Sequence, residues 1–222
     1  GMPFDRLDAA ALADRYPQFR MKGDEYAIFQ PRSGILAASR SVAALVRCAL
    51  RRGARFRTEC QVSAITPHAA GVNLTVLEHG RSATISAGRV VIAAGPWAQR
   101  LLGPLLATRL PLTVTHQQVA YFRATKPEMW TSQRAPIYIF SAEPHVYGFP
   151  VYERPGLVKV ARELIGTVVD PDAARTALRA EVDALSATVA ERLQGIDPEP
   201  VGVDLCLYTE TPDRTPIIDR HP

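Results

Sequence analysis

Apolar and polar positions follow different rhythms along this chain. Leu7, Ala10, Leu12 and Ala13 recur at helical spacing and predict a helix over 4–16, with Asp8 as a cap and Pro17 as its end. A short extended stretch, Tyr26 to Gln30, leads into the turn signal Pro31-Arg32-Ser33-Gly34. From Ser39 to Arg52 a second helix is predicted. Val42, Leu45, Val46, Ala49 and Leu50 form its apolar face, Ser39 or Ser41 its N-cap and Gly53 its stop. Arg55–Ile65, Gly71–Glu78 and Arg81–Ser86 then alternate as strands of a small β-meander. The run Val90-Val91-Ile92-Ala93-Ala94 does not alternate. It is continuously apolar and closes on Gly95-Pro96, which predicts a buried parallel strand running into a helix that starts at Trp97.

After Pro111 the texture changes. Leu112–Arg123, Ile137–Phe140, His145–Pro150 and Gly156–Ala161 are rich in Val, Ile, Tyr and Phe, and predict an antiparallel sheet with one covered face. Pro171–Leu193 reads as a long helix begun by Asp170 or Asp172 and ended by Gly195. Val201–Tyr208 is a further strand, followed by a polar Thr-Pro-Asp loop. The expected organisation is α/β over 1–107, antiparallel sheet plus helix over 108–202, and a return to the first part over 203–222.

Composition narrows the function classes. The chain has 222 residues, 47% of them hydrophobic and 22% charged, as in ordinary globular proteins. The net charge of +4 is spread out apart from Arg47, Arg51, Arg52, Arg55 and Arg57, which read as a solvated helix end. No aromatic residues interleave with them, which argues against a nucleic-acid face. No apolar run reaches the ~20 residues of a membrane span, and no zinc-ligand spacing is present. Three cysteines make no disulfide framework and fit a reducing compartment, with the cytoplasm as the expectation.

Four segments carry a resemblance when taken together. They are Pro31-Arg32-Ser33-Gly34-Ile35-Leu36; Val91-Ile92-Ala93-Ala94-Gly95-Pro96-Trp97; Tyr147-Gly148-Phe149-Pro150 through Gly156-Leu157-Val158-Lys159-Val160; and Cys206-Leu207-Tyr208-Thr209-Glu210-Thr211-Pro212-Asp213 through Ile217-Ile218-Asp219-Arg220-His221-Pro222. In this order and spacing they resemble the monomeric sarcosine oxidase and pipecolate oxidase family of D-amino-acid-oxidase-like flavoproteins. The resemblance implies part of a Rossmann-like FAD-binding domain with a β-meander, joined to an antiparallel-sheet substrate domain. It also implies FAD, a small amino-acid or amine substrate, and oxidation of a C–N bond by hydride transfer to the flavin, with O2 as final acceptor.

The resemblance assigns roles residue by residue. Cys206 stands where the family bonds sulfur to the flavin ring; read alone it is a buried apolar cysteine, and the Tyr208-Thr209-x-Thr211-Pro212-Asp213 that follows favours the anchor. Lys159 matches the lysine over the flavin edge that promotes reaction with oxygen, whereas a strand-end lysine ordinarily keeps its head in water. Ala94, Gly95 and Trp97 match a flavin-contacting strand end, and Val62 the backbone near the adenine. Gly95 also suits a tight turn and Val62 an ordinary strand. Tyr147 is placed with the substrate. Relatives carry a Tyr-His pair where this chain has Arg162-Glu163-Leu164, so Arg162 is either a carboxylate clamp or half of a surface ion pair.

Two family features have no counterpart in these residues. No Gly-x-Gly-x-x-Gly turn occurs in them, and they do not include the glycine-rich segment that the family carries beyond the position of Pro222. The expectation is a piece of a longer enzyme that holds FAD loosely. The alternative is a catalytically inactive binding module that covers its apolar edges as a homodimer.

Overall fold

The computed structural model describes residues 1–106, 109–142, 145–163 and 166–219; Leu164 and Arg220-His221-Pro222 of the motifs above lie outside these. In chain order the elements are β1 (Asp5–Leu7), α1 (Ala9–Arg15), β2 (Ala27–Phe29), α2 (Ala38–Arg51), β3 (Cys60–His68), β4 (Gly71–Glu78), β5 (Arg81–Ala87) and α3 (Ala98–Leu102). They continue with β6 (Thr113–Ala124), β7 (Tyr138–Phe140), β8 (Val146–Phe149), β9 (Leu157–Arg162), β10 (Thr167–Val168), α4 (Arg179–Arg192) and β11 (Ile196–Glu210). Contacts divide the chain into two compact units. One comprises 1–36, 116–167 and 174–206; the other comprises 37–115, 168–173 and 207–222.

The first unit is built on strands in the order β6-β9-β8-β7, antiparallel throughout, with β11 also paired to β6. Side chains alternate across a strand, so the paired residues Ala120 and Val160, and Phe122 and Val158, share one face. All four are fully buried. Leu185 and Val189 of α4 join their cluster, as do Trp130, Tyr138 and Phe19. Burying a large apolar side chain is worth about 1.5–3 kcal/mol, so this face supplies most of the unit's stability.

The N-terminal segment belongs to this core. Leu7, Leu12 and Phe19 belong to the cluster, and Phe19 lies 5.1 Å from Tyr138 and 5.7 Å from Trp130, centroid to centroid. Residues 1–36 were expected with the α/β part. They sit with the sheet because their apolar side chains complete its covered face. Within the segment Asp8 caps α1 by accepting from the Ala11 N–H at 2.9 Å. Residues 5–7, expected as helix, instead pair with β2.

Helix α4 starts eight residues later than its composition predicts, and the reason lies on β6. The Gln118 side chain accepts from the Leu178 N–H at 2.8 Å and donates to the Leu178 carbonyl at 3.1 Å. That pins Leu178 in an extended conformation, so the helix can only begin at Arg179.

In the second unit β3, β4 and β5 form the expected meander, with Val72 and Val76 buried in it. Helix α2 also forms as predicted, though its N-cap is Ala37 with no side-chain bond and none of its residues is buried. The buried strand predicted at 89–95 is absent. Residues 89–94 have no regular structure and Val91 is 89% exposed. A strand needs a neighbour to bond to, and the three meander strands pair with one another, β4 lying between β3 and β5.

Candidate functional site

The face of the first unit's sheet opposite the core gathers several of the expected residues. Tyr121 of β6 pairs with Lys159 of β9, which pairs in turn with Phe149 of β8, so all three side chains share that face. Tyr147, two residues before Phe149, lies on the same side with its ring 6.1 Å away. The Lys159 ammonium stands 5.0 Å above the Phe149 ring. Cys206 enters from β11, its Sγ 3.7 Å from the Gln117 carbonyl. Lys159 thus shares this face with Tyr147, and its charge acts on Cys206.

Cys206 is half-buried and forms no disulfide. Burial pushes its thiol above the ordinary range; the Lys159 charge pulls it down, and Asp204 pushes it up again. Asp204 was not foreseen. Two residues before Cys206 on β11, it accepts from the Tyr121 hydroxyl at 3.0 Å and from Arg154 at 2.6 Å. Burial works against its charge, but these two bonds and the charges of Arg154 and Lys159 hold it below the usual carboxylate range. The spacing Asp204-x-Cys206 in a strand is a signal for a shared face; Tyr121 and Arg154 could be found only through register.

Arg162 does not join this set. Three residues from Lys159 in the same strand, it has the opposite parity, which turns it to the covered face beneath α4. There its guanidinium lies 3.3 Å from the Glu181 carboxylate. A carboxylate clamp acting beside Lys159 is therefore not its place. Arg162 and Glu181 line a cavity of about 70 Å³ with His116, Gln118, Thr167 and Leu178. His116 is buried there, and its Nε2 has no hydrogen-bond partner among the described residues.

The other expected cofactor contacts belong to the second unit. Val62 is half-buried in β3, opposite Val76 and next to a bulge. Ala94 precedes a single 3-10 turn, Gly95–Trp97. Gly95 adopts φ +50°, in the left-handed region that favours glycine, and a Cβ there would meet nothing within 4 Å. The Trp97 indole donates to Asp172 at 2.7 Å, and Asp172 also accepts from Arg100 at 2.7 Å.

The model of the FAD-dependent oxidoreductase (DAO) family matches residues 1–222. The chain belongs to this family. It is 34% identical to human peroxisomal sarcosine oxidase, over 97% of this chain and 55% of that protein. Against the monomeric sarcosine oxidase of Streptomyces avermitilis it is 31% identical, over 100% of this chain and 57% of the relative. Among solved structures it superposes on the open form of NikD, an unusual amino acid oxidase, with a TM-score of 0.80 and 29% identity, covering 94% of this chain and 53% of NikD. Glycine oxidase from Geobacillus kaustophilus shares the fold, with a TM-score of 0.76 and 23% identity over 100% of this chain and 55% of that one. The chain spans about half the length of the relatives it matches.

The Lys159 face fits the ring end of the family's cofactor. It offers a thiol that is partly accessible and uncommitted, beside an ammonium with no ion pair among the described residues. For the phosphate end, these 222 residues contain no Gly-x-Gly-x-x-Gly turn. No helix of the described residues is long and apolar enough to cross a membrane.

Proposed function

We propose that this chain supplies the flavin-facing sheet of an amine or amino-acid oxidase of the sarcosine oxidase type, with Cys206 as covalent anchor and Lys159 as the cation at the reactive edge. The observation that carries this reading is the arrival of Lys159 and Cys206 on one open face from strands far apart in sequence. When bound, FAD supplies the acceptor for a hydride taken from a C–N bond, with O2 as the final acceptor. Cys206 would hold the ring through a thioether to its 8α-methyl carbon, the thiol S–H and one methyl C–H giving up two protons and two electrons that pass through the flavin to O2; the field of Lys159 favours loss of the thiol proton. The Lys159 ammonium then stabilises negative charge developing at its edge of the face. Tyr147, beside Phe149, offers an aromatic wall and a hydroxyl to a small secondary or N-methylated amino acid. In the second unit Val62, Ala94, Gly95 and Trp97 are the proposed backbone-side contacts to the cofactor. Three free cysteines support a reducing compartment, the cytoplasm in this reading.

The test is incubation with FAD, read by quenching of flavin fluorescence and by the mass of the peptide containing Cys206. Expected are quenching that weakens in Lys159→Met and a flavin adduct on Cys206 alone. Quenching that neither Lys159→Met nor Cys206→Ala changes, or an adduct on Cys48 or Cys60, overturns the reading.

A further inference from the structure

The open face of the first unit's sheet holds a charge arrangement that the proposed roles of Lys159 and Cys206 leave unexplained. Asp204 is a carboxylate on the same face as the Lys159 ammonium and feels its charge. Opposite charges on one face attract, and a free carboxylate would move toward the ammonium, because the attraction grows as the distance falls. Lys159 nevertheless makes no ion pair among the described residues, and its ammonium stands over Phe149 instead. Asp204 is held elsewhere. One oxygen, Oδ2, accepts from both Tyr121 and Arg154. The Arg154 guanidinium is itself seated on the Tyr121 ring, 3.8 Å from the centroid, which fixes the fork that grips the carboxylate.

We propose that Arg154 is a positioning residue: by clamping Asp204 against Tyr121 it keeps that carboxylate off Lys159, and so leaves the ammonium to act on Cys206. This rests on the reading of Lys159 and Cys206 given above, and it adds a reason for the exposed Arg154, which touches neither. The charges that act on Cys206 are those of Lys159 and Asp204, with opposite sign. Releasing Asp204 therefore harms the thiolate by neutralising the one cation that favours it. Arg154→Lys keeps the charge but lacks the planar fork and the stacking, so it retains only part of the clamp.

The test reads the thiol directly and needs no flavin. Alkylation of Cys206 by iodoacetamide is followed across pH by mass spectrometry of its peptide, in folded protein checked by circular dichroism. Arg154→Ala is expected to slow the reaction at pH 8 by about three- to tenfold, tenfold being one unit of thiol pKa. Asp204→Asn is expected to speed it, and Arg154→Lys to recover part of the rate. The deciding variant is Arg154→Ala with Asp204→Asn, which should match Asp204→Asn alone, because no carboxylate is left to be released. A purely structural Arg154 would slow the reaction in both backgrounds, and that outcome, or an unchanged rate in Arg154→Ala, overturns the clamp. Failure of flavin attachment with this pattern intact would count against the anchoring role of Cys206 and leave the clamp standing.

Discussion

At the scale of single residues, two neighbouring residues in the core make opposite predictions. Tyr138 is buried, and its hydroxyl has no hydrogen-bond partner among the described residues. Desolvation raises its pKa far above the ordinary value, so the group stays neutral. Tyr138→Phe is expected to be neutral or to stabilise by up to about 1–2 kcal/mol in urea denaturation, because an unsatisfied buried hydroxyl is lost. Gly148→Ala should do the reverse. A Cβ there would overlap the Tyr138 ring and lie 2.6 Å from the Lys159 carbonyl, and overpacking of this kind costs about 1–3 kcal/mol. Asp204 adds a pH dependence. Its folded pKa is lowered, so it contributes stability above its unfolded pKa of about 3.9, and that contribution is lost as pH falls through the folded value. Asp204→Asn should therefore flatten the acid limb of the stability curve and leave its neutral shape unchanged. Of the residues in this site, Cys206 and Lys159 were legible through their motifs. Asp204, Tyr121 and Arg154 were not, because their roles depend on which strand lies beside which.

At the scale of elements, the boundary of α4 shows where propensity yields to packing. Pro171–Leu193 contains helix-forming residues almost throughout, yet the helix waits until Arg179 because Gln118 holds the backbone of Leu178. Gln118→Leu removes both bonds and leaves the part-buried Leu178 N–H unsatisfied, while the Leu178 carbonyl keeps the N–H groups of Glu181 and Val182. A loss of about 1–3 kcal/mol is expected, with early hydrogen exchange at Leu178 to Val182. A loss confined to the protein's far side, with α4 protected as before, would speak against this account. The strand expected at 89–95 failed for a related reason. Its apolar run is the pattern of a strand in a parallel sheet, but hydrogen bonding requires neighbours, and pattern alone does not provide them. The β-meander, by contrast, was legible almost to the residue in its second and third strands, with the first beginning at Cys60 and not Arg55, since its strands are consecutive and bond to one another across short turns.

For the whole molecule, the two units differ in how well their apolar surface is covered. The first buries the apolar faces of its sheet, α4 and the N-terminal segment in one cluster. The second carries α2 with an apolar stripe that stays open; Leu45 is 70% exposed and Val42 60%. Apolar surface of this kind favours association. Sedimentation should show a concentration-dependent dimer or larger species, and Val42→Glu with Leu45→Glu should shift it to monomer. A wild-type chain that stays monomeric at high concentration would rule this out.

The sequence by itself determined the family, the periods of most elements, and the identity of the cysteine and lysine at the centre of the proposed site. Those are local properties: spacing along one segment, or a motif whose residues lie within a few positions of each other. Tertiary structure decided the rest. It sent Arg162 to the covered face by strand parity, drew residues 1–36 into the sheet's core, and brought Asp204 to Arg154 and Tyr121 within the field of Lys159. Each of these depends on pairing between distant strands. A sequence can say which side chains share a strand face; only the folded sheet says which faces meet.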